Sequence, residues 1–481
     1  MMADTFSPDI EHFIKHFLKE LNENNAAIFA GAGLSISAGY VDWKTLLKPL
    51  AEELTIDIEK ESDLVSLAQY YFNAHGRNRL SQHLLDEIGV SKTPTKNHEV
   101  LARLPIPTYW TTNYDKLIEK SLENVGKIVD RKYTVNQLAI TKKGRNAILY
   151  KMHGDIENTD VAVITKDDYE KYTQNYGPFV NALSGDLISK TFLFLGFSFT
   201  DPNLDYVMSR IRITFKEHQR QHYCIFRRCA RDDFEHEEDY LYAVTKQQLV
   251  INDLKRFSIK TLLVDHYDEI TSILERIEDL YRRRTIFFSG SAHEYGVWKQ
   301  SDVEKFLSKL GEILIEKKFK IASGIGLGIG NALITGAIKS VYVKLGGNVS
   351  EYLTMRPFPQ FIEDNRIREE TWEKYRNEII SFAGIAIFFM GNKLDGGRIV
   401  DADGVKKEFE IAHKLGLLLI PVGASGYMAK GIWDIVMTEI DKYYPNAPKK
   451  FIDGMKGLGE KVEEPDKLIS KIINVIELAT K

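Results

Sequence analysis

Short apolar runs of strand length alternate with amphipathic stretches along the whole 481-residue chain, and few architectures satisfy that alternation. Strands that alternate with helices pack as parallel sheets. The first runs are Ala26–Ala30, Thr108–Thr111, Ala147–Lys151, Thr191–Leu195, 222–226 and 260–264. Helical spacing of apolar residues marks 9–22, 43–54, 61–74, a stretch after Pro202, and 268–281. The pattern restarts at Arg284, where RTIFFSGSA reads as a strand entering a small-residue loop. A helix at 300–317, a strand at 319–322, the glycine-rich SGIGLGIGNALITGA, the strand GIAIFFMGN, a helix at 404–414 and the strand LGLLLIPVG follow. The expected fold is α/β, with two Rossmann-like parallel-sheet domains, residues 1–283 and 284–481, meeting near YRRRT without a long linker.

Composition narrows the function. A hydrophobic share of 44% with 27% charged residues is that of an ordinary globular protein. A net charge of -4 supplies no basic field, so nucleic acid is not an expected partner. Two cysteines, Cys224 and Cys229, cannot build a disulfide framework and fit a reducing compartment. The N-terminal MMADTFSPDI is not a signal peptide. No apolar run approaches the ~18 residues of a membrane-spanning helix. A cytoplasmic protein with no membrane partner is expected.

Four clusters carry the chemistry of the first half. Residues 26–39, AAIFAGAGLSISAG, end an apolar strand at Ala30 and run into Gly31-Ala32-Gly33, with Ser35 close behind. Glycine permits close backbone approach, and amides at a following helix start can face a pyrophosphate. TYWTTNYDKL places Thr112, Asn113 and Asp115 at the end of a second strand. KMHGD places His153-Gly154 at the end of a third, and FLFLGFSFTDPNLDY places Gly196 and Ser198 at the end of a fourth. Ligand crevices of open α/β sheets lie at these carboxyl ends. Taken singly, each cluster is equally a polar turn, and Asp115 and Asp201 serve equally as helix caps.

In this order the motifs resemble the sirtuin family: Gly31-Ala32-Gly33-Leu34-Ser35, Gly39-Tyr40-Val41-Asp42-Trp43-Lys44, Thr111-Thr112-Asn113-Tyr114-Asp115, His153-Gly154 and Gly196-Phe197-Ser198. The resemblance covers roughly residues 10–275. It implies NAD+ as substrate, contacted by Ala30, Gly31, Ala32, Gly33, Ser35, Asp42, Thr112, Asp115, Gly196 and Ser198. It implies that Asn113 binds ribose and orients a water, that His153 engages ribose hydroxyls as base, and that Asp115 holds the Asn113 loop or touches the ribose. Sirtuin deacylases also carry a zinc module on two Cys-x-x-Cys pairs. Two cysteines spaced Cys-x4-Cys cannot supply its four ligands, so no metal is expected. Without that module, water becomes the nucleophile, and nicotinamide and ADP-ribose become the expected products.

The second half offers IFFSGSA with Gly290 and Ser291, the run with Gly326 and Gly328 before a helix, RPFPQ (356–360), Tyr375-Arg376, GNK with Asn392 and Lys393, and Glu408 at the start of the helix expected at 404–414. Glycines at a helix start suit a phosphate, and Arg376 and Lys393 could pair with one. This half resembles the SLOG family of nucleotide-sensing domains. The two halves in tandem resemble the NADase effectors of bacterial Thoeris anti-phage systems. That resemblance implies a homotetramer built through the sirtuin-like domains. It also implies activation by a cyclic ADP-ribose isomer from a TIR-domain partner, sensed by Gly290, Ser291, Gly326, Gly328, Arg376, Asn392, Lys393 and Glu408. A second domain that binds its ligand differently in two states can gate the first. Three alternatives compete: an NAD-dependent protein deacylase, a non-enzymatic nucleotide-binding or scaffold protein, and a nucleic-acid-linked defence protein that recruits a nuclease or argonaute.

Overall fold

The structure, a computed structural model, describes residues 6–359 and 362–480; Gln360 of the RPFPQ segment lies outside them. Two compact units, Phe6–Glu278 and Asp279–Lys481, each hold a parallel sheet.

The first unit contains β1 (Ala26–Ala30), β2 (Thr108–Thr111), β3 (Val129–Lys132), β4 (Ala147–Lys151), β5 (Thr191–Leu195), β6 (His222–Arg227) and β7 (Ile259–Val264). Their order is β3-β4-β2-β1-β5-β6-β7, every pair parallel. β1 and β5 are buried at every position, as continuous apolar runs require. β3 escapes a hydrophobicity reading because Asp130, Arg131 and Lys132 fill three of its four places. Asp130 pairs with Lys132 at 2.8 Å and with Arg145 at 2.9 Å, which lets an edge strand hold a buried carboxylate. The helix Leu64–His75 buries Leu67, Ala68 and Tyr71 in its own unit while Tyr70 stays exposed.

Register fixes the edge that matters. Ala30 pairs with Thr111 and Leu195, and Thr111 pairs with Lys151. The carboxyl ends of β4, β2, β1 and β5 are therefore level, and the strand order reverses beside β1. Crevices of doubly wound sheets open at this kind of place.

In the second unit β8 (Thr285–Ser291), β9 (Lys320–Ser323), β10 (Leu353–Met355), β11 (Ile385–Met390) and β14 (Leu418–Pro421) form a parallel sheet in the order β10-β9-β8-β11-β14, and β12 (Asn392–Asp395) pairs antiparallel with β13 (Arg398–Asp401). Gly396 and Gly397 join that hairpin, both with positive φ, the two-residue turn that Gly-Gly favours. The helices Gln300–Glu316 and Gly330–Ser340 touch through glycine: a Cβ on Gly311 would sit 2.3 Å from Leu333 O, and one on Gly336 1.8 Å from Ser308 O. Backbone cannot rotate out of the way, so Gly336→Val should destabilise this unit by about 3 kcal/mol, the upper range for overpacking. Urea unfolding measures it, and a midpoint equal to wild type would refute the contact. Among the described residues no helix is long and apolar enough to cross a membrane.

Candidate functional site

A hydrogen-bonded network ties the first two expected clusters together. Thr111 Oγ1 donates to Ala30 O and accepts from Asn113 N, each at 2.9 Å, which pins the start of the Asn113 loop to β1. Asn113 Nδ2 donates to Gly31 O at 3.0 Å and to Ser35 Oγ at 3.1 Å. Ser35 Oγ donates to Asp115 Oδ2 at 2.7 Å, while Asp115 Oδ1 accepts from Leu117 N at 2.9 Å. Of the two roles left open for Asp115, holding the loop is the one this geometry describes, since both carboxylate oxygens are engaged. Two donations from Nδ2 fix the amide of Asn113 so that Oδ1 is the atom left to accept from a water or a hydroxyl. Asn113 and Thr112 are half-buried, whereas Ser35 and Asp115 are buried.

The glycines are set by their neighbours. Gly31 N donates to Leu195 O and Gly33 N to Gly196 O, both at 2.9 Å. A Cβ on Gly31 would lie 2.4 Å from Gly196 O, one on Gly33 2.8 Å from Gly196 Cα, and one on Gly196 2.1 Å from Leu34 N. Gly196 also has φ +61, which disfavours any side chain. The amides of Gly31 and Gly33 bind the loop after β5, and close loop packing requires these residues with or without a ligand. Ala32 opens a short helix, Ala32–Ile36. Ser198 is exposed and shares a 2.8 Å hydrogen bond with Thr200. Exposed Asp42 accepts from Thr45 N at 2.7 Å, a local cap of the helix Trp43–Glu53 that does not join the network.

His153 stands two residues past β4. β4 and β5 flank β2 and β1, about 14 Å apart at three strand spacings. Yet His153 Nε2 lies 3.0 Å from Asp201 Oδ2, on the loop after β5. The two loops therefore lean together over the ends of β2 and β1, where Asn113 and Gly31 sit. The contact is a close approach of the carboxylate to the ring nitrogen, short of an aligned hydrogen bond. The ring of Tyr169 meets the imidazole edge-on, with centroids 5.4 Å apart. Asp201 also caps the helix Pro202–Phe215 through Leu204 N at 2.9 Å. Sequence reading treated Asp201 as a cap alone.

Beneath the Asn113 loop lies Lys151, the last residue of β4 and fully buried. Its ammonium donates to Tyr114 O at 3.0 Å and Asp115 O at 2.6 Å, and it pairs with Asp155 at 2.6 Å and Glu119 at 3.3 Å. Burial alone would lower the Lys151 pKa, but Glu119 and Asp155 more than offset it and raise it. Burial in turn pushes the Glu119 carboxyl up despite Lys151. Lys151 thus joins the strand that carries His153 to the loop that carries Asn113. The signal in the sequence was a charged residue closing an apolar strand directly before Met152-His153.

Among the described residues no group of three or more His, Cys, Asp or Glu is placed to hold a metal ion. Cys224 is buried and its thiol is pushed up to about 12, which suits neither a ligand nor a nucleophile.

The second unit collects its candidates at the carboxyl edge of its sheet. A Cβ on Gly326 would fall 1.9 Å from Gly290 O, one on Gly290 2.2 Å from Phe389 O, and one on Gly328 2.1 Å from Ala292 O. Ser291 Oγ donates to Asn392 O at 2.9 Å. Buried Asn392 accepts from His293 N at 2.8 Å and Glu294 N at 3.1 Å and donates to Glu294 O at 2.9 Å, so its side chain braces the loop after β8. Lys393, on the hairpin, pairs at 2.8 Å with Asp403, which opens the helix Asp403–Lys414. Glu408, expected at a helix start, is the sixth residue of the helix Asp403–Lys414 and buried; it meets β8 through Ser289 Oγ at 2.5 Å and so does not serve the helix dipole. Burial raises its carboxyl above the ordinary range against the pull of Ser289 and Arg376. Arg376 Nε lies 3.7 Å from Glu408 and is buried without a hydrogen-bond partner. Its guanidinium sits 5.0 Å from the Phe358 ring centre and 5.8 Å from that of Trp372.

Comparison with known proteins matches residues 269–479 to the STALD family, described as the Sir2- and TIR-associating SLOG family, and residues 107–247 to a SIR2-like domain. The chain is 58% identical over 480 residues to the NAD(+) hydrolase ThsA of Acinetobacter baumannii (strain 532279), covering 98% of this chain and 100% of that protein. It is 50% identical over 474 residues to the NAD(+) hydrolase ThsA of Bacillus cereus (strain MSX-D12), covering 98% and 99%. A 25% identity over 214 residues links it to defense-associated sirtuin 2 of Bacillus subtilis, of which the match spans 21%.

Proposed function

The chain belongs to the ThsA family of NAD(+) hydrolases, and from that premise we propose that residues 1–283 cleave NAD+ to nicotinamide and ADP-ribose while residues 284–481 sense a nucleotide that switches them on. The observation that carries the catalytic part is the fixed amide of Asn113, with Oδ1 turned to accept, on the same sheet edge as His153.

The bond to be broken is glycosidic, to a cationic leaving group, and passes through an oxocarbenium-like state. Nicotinamide departs neutral, so no strong acid is required. Asn113 Oδ1 accepts from the attacking water or from ribose and sets its direction. His153 takes the proton that water gives up, a task suited to imidazole. Asp115 and Ser35 hold the Asn113 amide, and Gly31, Gly33 and Gly196 shape the floor on which Ala30, Ala32, Thr112 and Ser198 border the dinucleotide. Asp42 is the weakest member of the NAD+ set, given its local bond.

In the sensor half, Arg376 supports the reading. A buried guanidinium with an unsatisfied Nε, flanked by two aromatic faces, suits a phosphate and an adenine ring. Gly290, Gly326 and Gly328 shape the neighbouring loops, Ser291 and Asn392 brace them, and Lys393 borders them; Glu408 holds Arg376. The ligand we assign is a cyclic ADP-ribose isomer made by a TIR-domain partner, and the working form is a homotetramer that depletes NAD+ during phage infection.

The test is nicotinamide release from NAD+ by the purified protein, with and without cyclic ADP-ribose isomers. Ligand-stimulated release is expected. No release with any isomer from a folded protein would favour a nucleotide-binding role without catalysis, and turnover of an acyl-lysine peptide would favour a deacylase. Arg376→Ala should lose at least about tenfold in ligand stimulation, the scale of one charge-assisted contact, while keeping its circular dichroism spectrum. Normal stimulation of that variant would show that the sensor pocket lies elsewhere.

A further inference from the structure

His153 and Asp201 come from loops whose strands are separated by two others, and each is more than nine-tenths buried: side-chain exposure is 5% and 8%. The carboxylate divides its oxygens. Oδ1 accepts from Leu204 N at 2.9 Å and Oδ2 faces His153 Nε2 at 3.0 Å. The ring is also held from behind, because Val163 N donates to His153 O at 2.9 Å and Tyr169 and Tyr172 flank the imidazole edge-on. A helix cap needs only one acceptor oxygen, so the cap does not explain why the second points at a histidine.

We propose that Asp201 is a positioning residue for the hydrolysis: its carboxylate charge, 3.0 Å from Nε2, favours the His153 tautomer with its proton on Nε2 and leaves Nδ1 as the basic nitrogen. The inference rests on the reading of His153 as the base. In the step it serves, the C1′–N bond breaks with its electron pair going to nicotinamide. The water oxygen bonds C1′, and the proton that water loses arrives at His153 Nδ1. The imidazolium then carries protons on both nitrogens, and Asp201 supplies the charge that balances it.

The surroundings leave that task to Asp201. Burial would raise its pKa, but His153 and the amides of Leu204 and Asn203 hold it below the ordinary value, so it is ionised at neutral pH. The phenols of Tyr114, Tyr169 and Tyr172 face the pair from three other segments, and burial pushes all three up, leaving them neutral. Asp168, the next carboxylate, is committed to Arg77 at 2.9 Å and to the amides of Ile164 at 3.1 Å and Thr165 at 2.9 Å.

Two substitutions separate the tautomer role from the cap. Asparagine and serine cap a helix as well as aspartate does, but neither carries the charge, and the amide of Asp201→Asn can enforce the opposite tautomer. We expect Asp201→Asn and Asp201→Ser to lower kcat for nicotinamide release by about 10²–10⁴-fold, by analogy with the same substitution behind a catalytic histidine. KM and unfolding temperature should stay near wild type, and the acid limb of the pH–rate profile should move to lower pH. In a His153→Ala background Asp201→Asn should cost nothing more, because residues acting as a unit are not additive. Wild-type kcat and pH profile in Asp201→Asn would overturn the proposal, as would an equal further loss in the His153→Ala background. Wild-type unfolding temperature, kcat and acid limb in both variants would reduce Asp201 to a cap, since asparagine and serine preserve the cap. Full activity in His153→Ala alone would instead overturn the assignment of the base.

Discussion

Asn113→Ala is expected to lower ligand-stimulated NAD+ hydrolysis by about 10²–10³-fold, the cost of removing one preorganised polar group from a reacting centre. The geometry separates this from unfolding. Asn113 is half-buried, and its Nδ2 makes two hydrogen bonds, to Gly31 O and Ser35 Oγ. Losing them should cost about 1–2 kcal/mol, since each is worth roughly 1 kcal/mol net. Ser35 keeps its bond to Asp115, and Thr111 still pins the loop to β1. The expected phenotype is a folded protein that binds NAD+ and does not release nicotinamide. Single-turnover measurement with saturating NAD+ distinguishes this from weak binding. If more than about a tenth of the wild-type rate survived, the Asn113 amide would not be the group that places the water.

Lys151→Met should produce the largest loss of stability. Breaking a buried pair by removing one partner typically costs about 3–5 kcal/mol. Here the ammonium also donates to Tyr114 O and Asp115 O, so four groups lose a donor together, of which Tyr114 O keeps Ile156 N and Asp155 keeps Glu157 N. Methionine fills the volume but offers no donor. The deficit should depend on pH. Glu119 is already raised by burial with Lys151 in place and should be raised further without it. A carboxyl whose folded pKa exceeds its unfolded value favours folding below the unfolded pKa, and that advantage is lost as pH rises through the folded pKa. The variant should therefore fall furthest behind wild type near neutral pH and recover part of the difference toward pH 5. Urea unfolding at the two pH values reads this directly. An equal deficit at both would mean that the cost is packing rather than unpaired charge. Catalysis should suffer too, because the Asn113 loop rests on the two carbonyls that Lys151 holds.

Much of the architecture is a matter of period. AAIFA, TFLFL and IAIFFM are continuous apolar runs, and only strands buried on both faces use such runs at that length. Each was legible as a strand, and each ends in a glycine or polar cluster. β3, β10 and the β12–β13 hairpin were not read. β3 is mostly charged, β10 is three residues long, and the hairpin is mostly exposed, so it carries no apolar alternation. The Asp-Gly-Gly turn was the signal that could have revealed the hairpin.

The candidate site divides along the same line. Glycine, asparagine and histidine at strand ends declare themselves in sequence because the chain must turn there, and the register of β4, β2, β1 and β5 brings them level. What those residues touch is decided across the sheet. Gly31 and Gly33 lie against Gly196, far along the chain, and their amides bind that loop. Asn392, expected to read a ligand, spends its side chain on backbone, and Glu408 faces β8 from the middle of its helix. Asp201 reads locally as a cap and Lys151 as a charged strand end. Only packing makes one the neighbour of His153 and buries the other under Asn113. The sequence alone set the period of the strands, the places where the chain turns and the residue types available there. The tertiary structure chose the partners, because a buried charge or polar group must find its complement wherever the sheet brings one within reach.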